Sequence, residues 1–168
     1  ASIDSIHYCD LPKIDVTGLD LSGLSFQSMD LNMFPELTLS QFLSLTDFTQ
    51  CVVPPFDLSG VDLSNKALNY VDLTSCTGLT GEQVFSSKQF VGVKLPAMDL
   101  TGVDFTGKNI QSVDFTRCTG LTAEQILSSS FYLSMYITSE QYASLRNDLP
   151  VGETIYVDGV RTSISHTN

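Results

Sequence analysis

The chain has 168 residues, enough for one domain with a substantial core, and its 19 acidic against 8 basic side chains give a formal net charge of −11. A surface this acidic repels phosphate, which argues against direct nucleic-acid or anionic-membrane binding and permits a basic protein partner or imitation of a nucleic acid. No run approaches the ~20 apolar residues that span a bilayer, and the opening ASIDSIHYCD lacks the basic and apolar regions of a secretory leader.

From Cys9 the chain reads CDLPK IDVTG LDLSG LSFQS MDLNM, a beat of five. Each unit has an apolar residue, usually Asp, another apolar residue, then two small or polar ones. Apolar residues two apart face the same side of an extended segment, and the following pair turns a corner. The beat gives way to LTLSQFLSL, where Thr38 and Gln41 have capping-box spacing and Leu37 sits where a hydrophobic staple would. A short helix is predicted there. The beat returns at Phe56 with FDLSG VDLSN KALNY VDLTS CTGLT and leads to a second helix at LTGEQVFSS. A third round from Met98, MDLTG VDFTG KNIQS VDFTR CTGLT, leads to LTAEQILSS. A fourth copy, ITSEQYASL, follows after only 16 residues, so the winding is expected to end there, with helix 138–147 closing the core. TIYVDGVRT then reads as a terminal strand or a hairpin turning at Asp158-Gly159.

The rounds superimpose at a spacing of 42: Asp15, Asp57 and Asp99; Asp20, Asp62 and Asp104; Asp30, Asp72 and Asp114; Gln41, Gln83 and Gln125. The period divides as 20 plus 22, with coils beginning at Cys9, Met29, Cys51, Val71, Val93, Val113 and Met135. Two residues on stand Leu11, Leu31, Val53, Leu73, Leu95, Phe115 and Ile137, again all apolar. The expected architecture is a single domain over 1–168, mainly β: a right-handed parallel β-helix solenoid, quadrilateral, with alternating 20- and 22-residue coils over 9–137. Short helices fall in alternate coils, and a C-terminal helix cap covers 138–168.

At MDLTGVDFTG, FDLSGVDLSN and IDVTGLDLSG the chain resembles the pentapeptide-repeat proteins, whose pattern is small-apolar, Asp or Asn, Leu or Phe, then any two residues. The resemblance covers about 9–36, 51–79 and 93–121. It implies a right-handed quadrilateral β-helix that acts by binding proteins. Some members are acidic rods that mimic DNA and protect gyrase; others are bacterial effector or scaffold modules. The chain departs from the pattern by its helix in every second coil and by Met, Ile, Phe and Val where the family favours Ala. A second resemblance is to cysteine-containing leucine-rich repeats, through Leu68, Val71, Leu73 and Cys76, through Ile110, Val113, Phe115 and Cys118, and through Phe90, Val93 and Leu95. It implies a horseshoe. The five-residue beat favours the square form; both are right-handed parallel solenoids.

Candidate chemistry is sparse. Asp ladders two coils apart would hold carboxylates about 10 Å from one another, too far for one ion, so corner N–H groups are their expected partners. Cys9, Cys51, Cys76 and Cys118 fall on inward slots and read as small core hydrophobes rather than disulfides or zinc ligands. His7 and His166 stand near opposite ends. No catalytic residue, metal ligand or cofactor is predicted. The expected function is a non-enzymatic protein-binding scaffold, monomeric or dimeric, whose site is the outward row Asp10, Asp30, Asp72, Lys94, Asp114 and Tyr136. Two alternatives stand beside it: an acidic DNA mimic acting on gyrase or topoisomerase, and a repeat module of a larger bacterial effector. Free thiols and the absent leader point to a cytoplasmic location, bacterial or, for a delivered effector, in the host cytosol.

Overall fold

The computed structural model describes residues 14–166 and, by backbone alone, residues 5–7. Cys9, Asp10 and Leu11 lie outside the described residues. The elements in chain order are β1 (Ser5–His7), β2 (Ser25–Gln27), a 3-10 turn (Leu31–Met33), α1 (Leu39–Ser44), α2 (Gly81–Phe85), β3 (Met98–Asp99), β4 (Cys118–Thr119), α3 (Ala123–Ser128), β5 (Tyr136–Ile137), α4 (Ser139–Leu145), β6 (Thr154–Val157) and β7 (Val160–Ser163). No helix among the described residues is long and apolar enough to cross a membrane.

The expectation of a mainly-β parallel β-helix solenoid is corrected. Strands run only two to four residues, and the sheets hold two, two and three strands: β1 with β2, β3 with β4, and β5–β6–β7. Among the described residues no long parallel sheet forms, and outside these sheets parallel pairing is confined to single-residue bridges. The result is a small mixed arrangement of short helices, short sheets and many turns. The same finding removes the horseshoe alternative and the fold implied by the pentapeptide-repeat resemblance.

The physical reason lies at the corners. Asp15, Asp20, Asp47, Asp57, Asp62, Asp99 and Asp104 each accept, through Oδ1, the backbone N–H two residues on at 2.8–3.0 Å. An N–H committed to such a turn cannot join a ladder. Each extended piece is therefore redirected before a bridge can propagate into a strand.

The helices form where Thr-x-x-Gln stands. Thr38, Thr80, Thr122 and Thr138 are N-caps, and in each case the Gln three residues on completes a capping box. The same Gln does something more. Its Nε2 donates to two carbonyls of an earlier corner: Gln41 to Val16 and Leu19, Gln83 to Leu58 and Val61, Gln125 to Leu100 and Val103, and Gln141 to Phe115 and Cys118, at 2.6–3.1 Å. Each helix is thus tied to a turn 22 to 26 residues before it. Past the end of α1, Lys66 Nζ donates to the carbonyls of Leu43 and Leu45 at 2.6 and 3.0 Å, a cation where helix carbonyls are unpaired.

Apolar side chains close over these ties. Met29, Cys51, Val71, Val93, Val113 and Met135 are buried, as are Leu31, Val53, Leu73, Leu95, Phe115 and Ile137. From the helices, Phe42, Val84, Phe85, Ile126 and Leu145 join the same core. Phe85 stacks on Phe105 with centroids 4.1 Å apart, and Phe105 on Phe115 at 5.9 Å. The C-terminal end is covered by α4 and by the β6–β7 hairpin, which turns at Asp158 and Gly159, both with positive φ. Ile155 and Ile164 seal it, each at most 1% exposed.

Candidate functional site

Single-residue parallel bridges join Asp30 to Val52, Val52 to Asp72, Asp72 to Lys94, Lys94 to Asp114 and Asp114 to Tyr136, and β5 continues the row to Tyr156 of β6. The row is held by alternating backbone bonds. The N–H groups of Asp72, Lys94, Asp114 and Tyr136 donate to the carbonyls of Cys51, Val71, Val93 and Val113 at 2.9–3.0 Å. Of the residues predicted as a site, Asp30, Asp72, Lys94, Asp114 and Tyr136 therefore stand in single file; Asp10 lies outside the described residues.

Each row aspartate spends one oxygen on its own turn. Oδ1 of Asp72 accepts the N–H and hydroxyl of Thr74 at 3.0 and 2.6 Å, and Oδ1 of Asp114 accepts those of Thr116 at the same distances. Asp30 Oδ1 accepts Asn32 N and Nδ2 at 3.0 and 2.7 Å. Oδ2 of Asp72 takes the Lys94 ammonium at 3.2 Å. Burial raises the Asp72 carboxyl, but Thr74 and Lys94 outweigh it and leave it below the ordinary carboxylate value. Asp114 Oδ2 has no hydrogen-bond or ion-pair partner among the described residues. Tyr136 stacks on Tyr156, with centroids 4.6 Å apart and planes 14° from parallel.

Beside this row runs a second column that sequence reasoning missed. Ser28, Gln50, Tyr70, Gly92, Ser112 and Ser134 all take left-handed backbone, with φ between 55° and 67°. For a bulky side chain such as Tyr70 this conformation is unfavourable. Tyr70 is half exposed, and its ring lies across Gly92, where any Cβ would collide with ring atoms Cδ1 and Cε1. The column has a faint sequence signal: its members recur at spacings of 22 and 20, and Gly92 alone advertises positive φ. Tyr70, Gly92, Ser112, Lys94, Asp114 and Tyr136 together line a depression of about 390 Å³. A larger one, about 620 Å³, lies beside α3, but Thr122 and Gln125 there are spent on the capping box and Asp104 on the Thr106 N–H.

Other candidate chemistry is quiet. Among the described residues no group of three or more His, Cys, Asp and Glu is placed to hold a metal ion. Cys51, Cys76 and Cys118 are free and buried, with Sγ directed at the carbonyls of Phe26, Pro54 and Pro96. Burial pushes their thiols up to about 11, 11 and 12, away from the reactive thiolate. No family model, curated protein or solved structure matches the chain.

Proposed function

We propose that this chain is a non-enzymatic protein-binding module that engages a basic partner through the outward row. The observation that carries the reading is the single-file register of Asp30, Asp72, Lys94, Asp114 and Tyr136, which presents charge and an aromatic anchor at fixed heights on one face. Backbone bonds fix that face before a partner arrives, which lowers the ordering cost of association. Net charge of −11 steers a basic partner towards it. The DNA-mimic reading draws less support, because Val52 and Lys94 interrupt the carboxylates along the row. Buried free thiols favour a reducing compartment such as a cytosol.

The test is affinity capture with the wild-type chain, an Asp30→Lys/Asp114→Lys variant and a control, Glu36→Lys, at an exposed residue that is not a member of the row, with folding verified by circular dichroism. A partner retained by wild type and control but lost by the double variant is the expected result. Retention by all three would overturn the assignment of this face.

A further inference from the structure

We propose that the depression between Tyr70 and Tyr136 receives an arginine side chain from a basic segment of the partner. The inference rests on the reading of the outward row as a binding face, and it names what that face recognises. One wall is the Tyr70 ring, which lies across Gly92 because that residue has no side chain to displace it. The other is the Tyr136 ring, backed by Tyr156 at 4.6 Å. Tyr136 is bridged to Asp114, and Asp114 to Lys94, the residue two beyond Gly92. The levels of Gly92 and Tyr136 are therefore two chain passes apart, about 10 Å along the stack. A gap that wide exceeds the ~7 Å at which one planar group touches two rings, so the guanidinium stacks on one ring and the arginine's methylene stem packs against the other. At the intervening level lie Ser112, too small to fill the gap, and Asp114, whose Oδ2 is unengaged by any described residue. The Lys94 ammonium is paired with Asp72 Oδ2 at 3.2 Å and makes no ion pair with Asp114.

A slot with aromatic walls and a carboxylate at its edge suits a guanidinium. That group is flat, permanently charged, stacks on rings and offers paired donors to a carboxylate. A lysine ammonium is a hydrated point charge and would gain the carboxylate without the stacking. An anion meets a surface of net charge −11. Tyr70 supports the assignment independently: a large, half-exposed ring is kept on left-handed backbone where the equivalent position one pass on is glycine.

Isothermal titration with a decapeptide of alternating arginine and glycine, and with its lysine counterpart, tests the proposal. The arginine peptide is expected to bind about fivefold more tightly than the lysine peptide. Tyr70→Asn, chosen because asparagine tolerates left-handed backbone, should remove that preference, and Asp114→Asn should weaken both peptides, while Tyr70→Phe and Glu36→Gln preserve affinity and preference. Upfield ring-current shifts of the peptide's arginine side-chain proton resonances on adding the protein give a readout that needs no variant. Equal affinity for the two peptides, or an arginine preference that survives Tyr70→Asn, would overturn the slot. If Asp30→Asn then weakened both peptides, the row would stand as a binding face without the slot. If neither aspartate variant changed either affinity, both readings would fall.

Discussion

A corner aspartate in this chain is a turn-former before it is a surface charge. Thr101 holds the Asp99 carboxyl below its ordinary value through its hydroxyl and its N–H, and Ser59, Ser64 and Thr106 do the same for Asp57, Asp62 and Asp104. Asp47 and Asp72 are raised by partial burial, yet Thr49 and Thr74 bring them down on balance. A carboxyl lowered in the folded state stabilises the fold above its unfolded value near 3.9, and that contribution is lost as pH falls through the lowered value. Relief of repulsion among 19 acidic groups would act in the opposite direction. The turn bonds are short-range and act at each of these corners, whereas repulsion between exposed carboxylates is screened by water and salt, so the turn bonds decide the sign. Urea midpoints are expected to hold level between pH 7 and 5 and to drop below about pH 4. A rise in stability below pH 4 would contradict this. The turn role was legible in the sequence, because Asp followed two residues later by Ser or Thr is a recurrent local pattern. The left-handed role of Tyr70 was not, since Ser, Gln, Gly and Tyr share that column with no common chemistry.

Among the elements, the four Thr-x-x-Gln helices show what spacing reveals and what it hides. The cap lies within three residues of its partner, so the sequence displays it. The Nε2 bonds of Gln83 reach carbonyls 25 and 22 residues earlier, and no local pattern announces a partner that distant. Gln83→Glu separates the two roles. It keeps an acceptor for the Thr80 N–H but cannot donate to Leu58 and Val61, and it sets a carboxylate against two carbonyls. Gln83→Glu and Gln83→Ala are both expected to cost about 1–3 kcal/mol in urea unfolding. Wild-type stability in Gln83→Glu would show that capping alone explains the conserved spacing within the chain. Strand length was illegible for a related reason. The apolar alternation that marks Val71 and Leu73 as inward also fits a continuous strand, but Asp72 Oδ1 captures the Thr74 N–H, and pairing stops after one residue.

For the whole molecule, which side chains point inward could be read from the sequence, and the sheet architecture could not. Leu31, Leu73 and Phe115 are at most 1% exposed, because a side-chain period of two is set by geometry whatever the strand length. The register that lines up Asp30, Asp72, Lys94, Asp114 and Tyr136 follows from the 22- and 20-residue spacings between them, yet the depression beside it depends on Tyr70 folding over Gly92. The functional reading and the arginine slot both require the row's backbone bonds to persist in solution. Amide hydrogen exchange followed by NMR measures this directly. The N–H groups of Asp72, Lys94, Asp114 and Tyr136 should exchange far more slowly than in an unstructured peptide, because each donates to a carbonyl of a preceding pass. Exchange of these four amides at unstructured rates in the folded protein would contradict the row and the binding face built on it.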